Sequence, residues 1–165
     1  MGKTSLVKRY LLGVFDVSTT LTIGVDFFVK KLQIKDIKVT LQLWDFGGED
    51  RFRFLLPKYV SGSSGGIFMY DITRYSTLKN VEDWLEIFRE EYTAKKQPGE
   101  TLPIIMVGGK KDLESKRSVP KEEAKRFVRT QNLYEYEECS AKTGENVELI
   151  FEKLSRELLR RINMI

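Results

Sequence analysis

Met1-Gly2-Lys3-Thr4-Ser5 is the second half of the motif G-x-x-x-x-G-K-[ST], a glycine-rich loop that opens a helix and cradles phosphate. Behind it, residues 3–12 place Leu6, Val7, Tyr10 and Leu11 on one helical face, which Gly13 ends. Gly2-Lys3-Thr4 at that helix start presents a positive dipole end, an ammonium and a hydroxyl, a set suited to a phosphate with a magnesium ion. Taken alone the tripeptide is weak evidence. The remainder of the chain decides what it means.

Working outward, residues 16–24 are polar and read as a loop containing Ser18, Thr19, Thr20 and Thr22. Residues 27–34 and 38–44 are rich in strand formers and joined at Lys35-Asp36-Ile37, which predicts an antiparallel hairpin. Residues 66–70 form a short apolar run ending in Asp71. Ser76 is the expected cap of a helix with Val81, Trp84, Leu85, Phe88 and Tyr92 as its apolar stripe. Pro98-Gly99 breaks the chain before a buried strand at 102–107, and Pro120 opens a helix facing Ala124, Phe127 and Val128 inward. A last strand at 134–139 precedes a helix expected to be capped by Asn146, with Val147, Ile150, Phe151, Leu154 and Leu158 as its seam. Strands alternating with helices predict one α/β domain over residues 1–165, with ligand loops at the strand C-terminal ends.

Chemistry-bearing residues fall at those ends. Trp44-Asp45-Phe46-Gly47-Gly48 puts a carboxylate beside glycines whose N–H groups can approach an oxyanion closely. Val107-Gly108-Gly109-Lys110-Lys111-Asp112 and Glu138-Cys139-Ser140-Ala141-Lys142 follow the next two expected strands. Each fragment has an ordinary reading as a turn or solvated loop. Their joint order, each after a strand, makes coincidence a poor account.

Composition narrows the function classes. The 165 residues are 41% hydrophobic and 32% charged, with net charge +4, no histidine and one cysteine, Cys139. A disulfide within the chain and a histidine triad are excluded, and a structural zinc site has no ligand set. Glutamates interleaved with the basic pairs argue against a nucleic-acid stripe. No apolar run approaches the ~18 residues of a membrane span, and the first residues do not form a signal peptide. A cytoplasmic location is the expectation.

With these residues in view, the chain resembles the Ras superfamily of small GTPases, most closely its Rab branch. The carrying stretches are Gly2-Lys3-Thr4-Ser5, Thr22-Ile23-Gly24-Val25-Asp26-Phe27, Trp44-Asp45-Phe46-Gly47-Gly48-Glu49, Tyr70-Asp71-Ile72-Thr73, Gly109-Lys110-Lys111-Asp112 and Cys139-Ser140-Ala141-Lys142. The resemblance implies a P-loop G domain: a mostly parallel sheet with one antiparallel hairpin, and helices on both faces. It further implies a GTPase that binds GTP and GDP with Mg2+ and recruits effector, exchange and GTPase-activating proteins through switch loops at residues 16–25 and 46–61.

Carried over by position, the nucleotide would meet Gly2, Lys3, Thr4, Ser5, Thr22, Gly48, Lys110, Asp112, Ser140, Ala141 and Lys142. Lys3 would hold the β- and γ-phosphates; Thr4, Thr22 and Asp45 would serve the magnesium, Asp45 through water. Gly48 N–H would sense the γ-phosphate, and Lys3, Gly48 and Glu49 would form the catalytic set. Asp112 would read guanine's edge, with Lys110 along the base, Ala141 N–H on the guanine oxygen and Ser140 buttressing the loop. Phe27 and Trp44 would lie on the surface that Rab partners read, or complete a core.

Three departures qualify the resemblance. Glu49 replaces the usual Gln; a carboxylate accepts but does not donate, which implies slow hydrolysis. Gly109 replaces the Asn that ties the base loop to the phosphate loop, implying weaker nucleotide affinity. The first strand and front half of the phosphate loop do not precede Gly2; the family commonly has Val where Met1 stands, so an internal start codon and a longer true protein are expected. A pseudo-GTPase interaction module, or a truncated non-functional product, is the alternative. No cysteine near the C-terminus is placed for prenylation, so membrane association would need another route.

Overall fold

A computed structural model describes residues 2–18, 21–93 and 101–165; Thr19, Thr20 and the expected break at Pro98-Gly99 lie outside them. Helix α1 (Lys3–Leu12) buries Leu6 and Tyr10, and Gly13 ends it in the left-handed region at φ 69° with its N–H bonded to Arg9 O. A side chain there would be strained, which is why the helix stops at a glycine.

Strands β1 (Val25–Ile34) and β2 (Ile37–Phe46) pair antiparallel in unbroken register, from Val25 opposite Phe46 to Ile34 opposite Ile37. The turn is therefore Lys35-Asp36 alone, with Lys35 at φ 52°. The sequence placed Ile37 in the turn. It belongs instead to the ladder, because a two-residue turn with positive φ matches the twist of the strands it joins. In β2 the expected alternation holds: Val39, Leu41 and Leu43 face inward while Thr40, Gln42 and Trp44 are exposed.

Strands β3 (Gly66–Asp71), β4 (Ile104–Gly109) and β5 (Glu135–Glu138) form a parallel sheet in the order β3-β4-β5. Every residue of β4 is buried, as a central strand covered on both faces must be. It starts two residues later than the sequence implied and continues through Gly108-Gly109. Pro103 has no N–H to give a ladder and serves only as acceptor for Gly66 N–H.

Helix α2 (Leu56–Val60) follows a 3-10 segment, Asp50–Leu55. Helix α3 (Tyr75–Thr93) buries Val81, Leu85, Phe88 and Tyr92. It starts one residue before Ser76, so Ser76 is not its cap; Thr77 holds the entry instead, accepting Asp71 N–H and donating to Arg74 O. Helix α4 (Lys121–Thr130) begins after Pro120 and turns Ala124 and Val128 inward. Helix α5 (Val147–Arg161) buries Val147, Ile150, Phe151 and Leu159. Asn146 stands at its N-cap position without capping it: at φ 58° its side-chain amide is turned away to donate to Glu138 O.

Inside, Met69, Ile105 and Val107 pack on α1 and α5, where the Tyr10 and Phe151 rings stack at 3.9 Å. Tyr70 and Met106 point the other way, toward α3 and α4. Helices thus cover both faces, giving the expected α/β architecture. The sheet, however, is in two pieces. Among the described residues β2 pairs only with β1 and β3 only with β4, leaving two open edges facing each other. A cavity of about 1100 Å³ separates them, lined by Leu41 and Leu43 of β2, Ile67 and Met69 of β3, Phe151 and Trp84. The space opens to solvent, so water or polypeptide fills it.

Candidate functional site

The N-terminus of α1, the end of β2 and the loop before β1 meet at one point. Thr4 in the first turn of α1 donates its hydroxyl to Asp45 Oδ2 at 2.5 Å and lies 2.6 Å from the Thr22 hydroxyl. Asp45 is 4% exposed, near the open end of the hairpin opposite Asp26. Burial pushes its carboxyl above the ordinary range, with Thr4 and Lys3 opposing that shift and Asp26 adding to it. Burial likewise lowers the Lys3 ammonium, against the pull of Asp45.

Two hydroxyls and a buried carboxylate converging on one point are a hard-oxygen set of the kind magnesium takes. Burial is the main cause that raises the Asp45 carboxyl, and a cation bound there would favour its charged form. These residues therefore fit the cation that the sequence implied for them, and Lys3 beside them fits a phosphate.

Gly47 explains how the two loops reach each other. Its N–H donates to Gly24 O at 2.8 Å. A Cβ added at Gly47 would stand 2.6 Å from Thr22 O and 2.6 Å from the Phe52 ring. Only glycine admits that approach, because the backbone oxygen has no free motion to yield. The sequence marked this glycine as an oxyanion neighbour; its steric role toward Thr22 was not readable there.

A second cluster lies beyond β4 and β5. Ser140 donates to Asp112 Oδ1 at 2.6 Å, Thr143 N–H donates to Ser140 Oγ, and Lys111 N–H donates to Cys139 O. Lys111 Nζ also pairs with Glu145 at 2.5 Å. These bonds leave Asp112 exposed and Ala141 half-buried at the rim of the same loop pair. Lys110, left-handed at φ 65°, sends its ammonium to Asp71 Oδ2 at 2.7 Å. Burial alone would raise the Asp71 carboxyl; bonds from Lys110, the Thr73 hydroxyl and Thr73 N–H outweigh it and hold the carboxyl below its ordinary range. Asp71 is a partner of Lys110 that sequence reasoning missed, although its position right after a strand was visible.

Between the clusters, Gly48 is exposed and Glu49 forms an ion pair with Arg51 at 2.6 Å. Gly2, at φ 94°, and Ser5 belong to the α1 start, while Lys142 is exposed on the outer loop. The structure thus gathers Lys3, Thr4, Thr22 and Asp45 at one place, and Lys110, Asp112 and Ser140–Lys142 on the neighbouring loops after β4 and β5.

The sequence model of the Ras family matches residues 1–160 of the chain.

This chain is a member of the Ras family.

Membership makes it a small GTPase of the Ras superfamily, a family of guanine-nucleotide-binding switches that act with regulators and effectors. Among the described residues no helix is long and apolar enough to cross a membrane.

Proposed function

We propose that the chain is a Rab-like, magnesium-dependent GTP switch with slow hydrolysis. The convergence of Thr4, Thr22 and Asp45 beside Lys3 carries this reading, because it joins the loop before β1 and the end of β2 to the start of α1 around one buried carboxylate. Bound magnesium would supply positive charge beside that carboxylate. Lys3 would hold the phosphate tail, Gly48 N–H would meet its terminal oxygens, and Asp112 would accept hydrogen bonds from the guanine edge.

The Rab assignment draws support from an exposed aromatic row. The Phe27 and Trp44 rings lie tilted at 4.4 Å and those of Trp44 and Tyr59 at 4.7 Å; Phe27 and Trp44 are over 40% exposed and Tyr59 is half-buried. Two exposed aromatic rings backed by a third suit a partner surface better than a core.

The open edges of β2 and β3 support the expected additional strand between them, leading into Gly2. Lys3, Leu6 and Val7 line the cavity, so a strand leaving it would reach the helix start directly. That strand would bring the remaining half of the phosphate loop with it. A pseudo-GTPase module is the second reading, favoured by the engagement of Glu49 with Arg51, which leaves no amide at the position that orients water. Competition of labelled GDP by GDP and ADP, with and without magnesium, separates the readings: a switch discriminates between the two and needs the metal.

A further inference from the structure

Beneath the loops that carry Asp112 and Ser140, one guanidinium satisfies two carboxylates at once. Arg117 donates to both oxygens of Glu138 at 2.9 Å, and to both oxygens of Glu114 at 2.7 and 2.6 Å. Its remaining donor reaches Val119 O at 3.1 Å. All five N–H groups of the fork are used, which a lysine's three donors from a single nitrogen do not reproduce.

The two carboxylates are placed symmetrically about the base-reading loops. Glu114 lies two residues after Asp112, and Glu138 two residues before Ser140. Glu138 is buried, with its side chain 4% exposed, while the Arg117 side chain is 16% exposed. Solvent therefore does little to loosen the pair with Glu138, whereas Glu114, its side chain 64% exposed, adds a surface pair.

The carboxylate of Glu138 is itself fixed from below. Tyr136 donates its hydroxyl to Glu138 Oε1 at 2.5 Å, and the Tyr136 and Tyr70 hydroxyls are 2.8 Å apart. Tyr70 on β3 reaches Tyr136 on β5 by passing across β4 at Gly108, its register partner. A Cβ at Gly108 would stand 2.8 Å from the Tyr70 hydroxyl. The polar chain Tyr70–Tyr136–Glu138–Arg117–Glu114 thus links the core of all three parallel strands to both loops above them.

We propose that Arg117 is a positioning residue for purine reading, setting the spacing between Asp112 and the Ser140–Ala141 turn, with Tyr136 aligning its Glu138 partner. This rests on the guanine-site reading given above. Arg117 touches no ligand; it acts through the loops.

The full chain and its R117K and Y136F variants are compared for displacement of mant-GDP by GDP, IDP and ADP, together with hydrogen exchange at residues 108–114 and 138–144. IDP lacks the exocyclic amine that Asp112 would bind, so the GDP-to-IDP preference reports the placement of Asp112. Because hydrogen bonds to charged groups contribute ~1.5–3 kcal/mol, R117K is expected to reduce that preference about tenfold or more. Y136F is expected to reduce it less, and R117K to speed exchange in both segments together. A loss of GDP and IDP affinity in equal proportion, or exchange unchanged in either segment, overturns the positioning role. A parent chain without preference for GDP over ADP overturns the guanine-site reading itself, and the role of Arg117 with it.

Discussion

Ser140 Oγ donates to Asp112 Oδ1 at 2.6 Å, closing a link between loops 28 residues apart in sequence. The bond fixes one carboxylate oxygen and leaves the other free to turn outward. It also orients the residue whose charge is placed to accept from a purine edge.

Removing that buttress should weaken guanine binding without removing it. Ser140→Ala is expected to raise the GDP dissociation constant by about 3–10-fold, the equivalent of a net hydrogen bond of ~0.5–1.5 kcal/mol. Competition titration checks this. An unchanged constant would mean that Asp112 is held by its backbone alone.

Asp45 gives a pH-dependent expectation. Burial raises its folded-state pKa above the unfolded value, so the metal-free folded chain retains a proton that the unfolded chain has lost. Its contribution to stability is therefore fully present below the unfolded pKa and is lost as pH rises through the folded one. Asp45→Asn is expected to raise the melting temperature of the metal-free chain at neutral pH and to abolish stabilisation by added magnesium. Thermal melts with EDTA and with MgCl2 provide the measurement; equal magnesium stabilisation of both proteins would remove Asp45 from the cation site.

Gly47→Ala tests the approach of the two loops. With a backbone oxygen and an aromatic ring both 2.6 Å from the new methyl, the loops must separate. Overpacking of this kind costs ~1–3 kcal/mol. The expected result is lower stability together with loss of the Thr4–Thr22 approach, read as loss of magnesium-dependent nucleotide binding.

Glu49→Gln should accelerate single-turnover GTP hydrolysis. The amide restores a donor near the γ-phosphate, and a well-placed donor there contributes as much as ~100-fold. It also releases Arg51 from its ion pair. A rate that falls would instead assign Glu49 the role of proton acceptor.

Much of this architecture is readable from residue order. Glycine at 13, proline at 120 and the alternation through Val39, Leu41 and Leu43 each fix local geometry by a local cause, and the structure keeps them. Ser76 and Asn146 are different: both have capping chemistry, but neighbouring Thr77 takes the bonds at the start of α3, and the backbone oxygen of Glu138 takes the Asn146 amide. The Thr4–Asp45 and Ser140–Asp112 contacts join residues that the motif order had already grouped. Arg117 carries no such mark. An arginine after a charged turn looks like a solvated residue until the fold sets Glu138 beneath it.

The open edges of β2 and β3 make a further expectation. Adding an apolar strand ahead of Gly2 should raise the melting temperature and slow amide exchange along β2 and β3, because groups now facing the cavity would gain partners.

The most direct test is a mant-GDP titration of this chain, and of a version carrying that added strand, competed by GDP and by ADP in the presence of magnesium. Displacement by GDP alone, tighter in the extended version and dependent on the metal, is the expected result. Displacement by ADP as readily as by GDP, or no binding by either version, would contradict a guanine switch built on Lys3, Asp45 and Asp112.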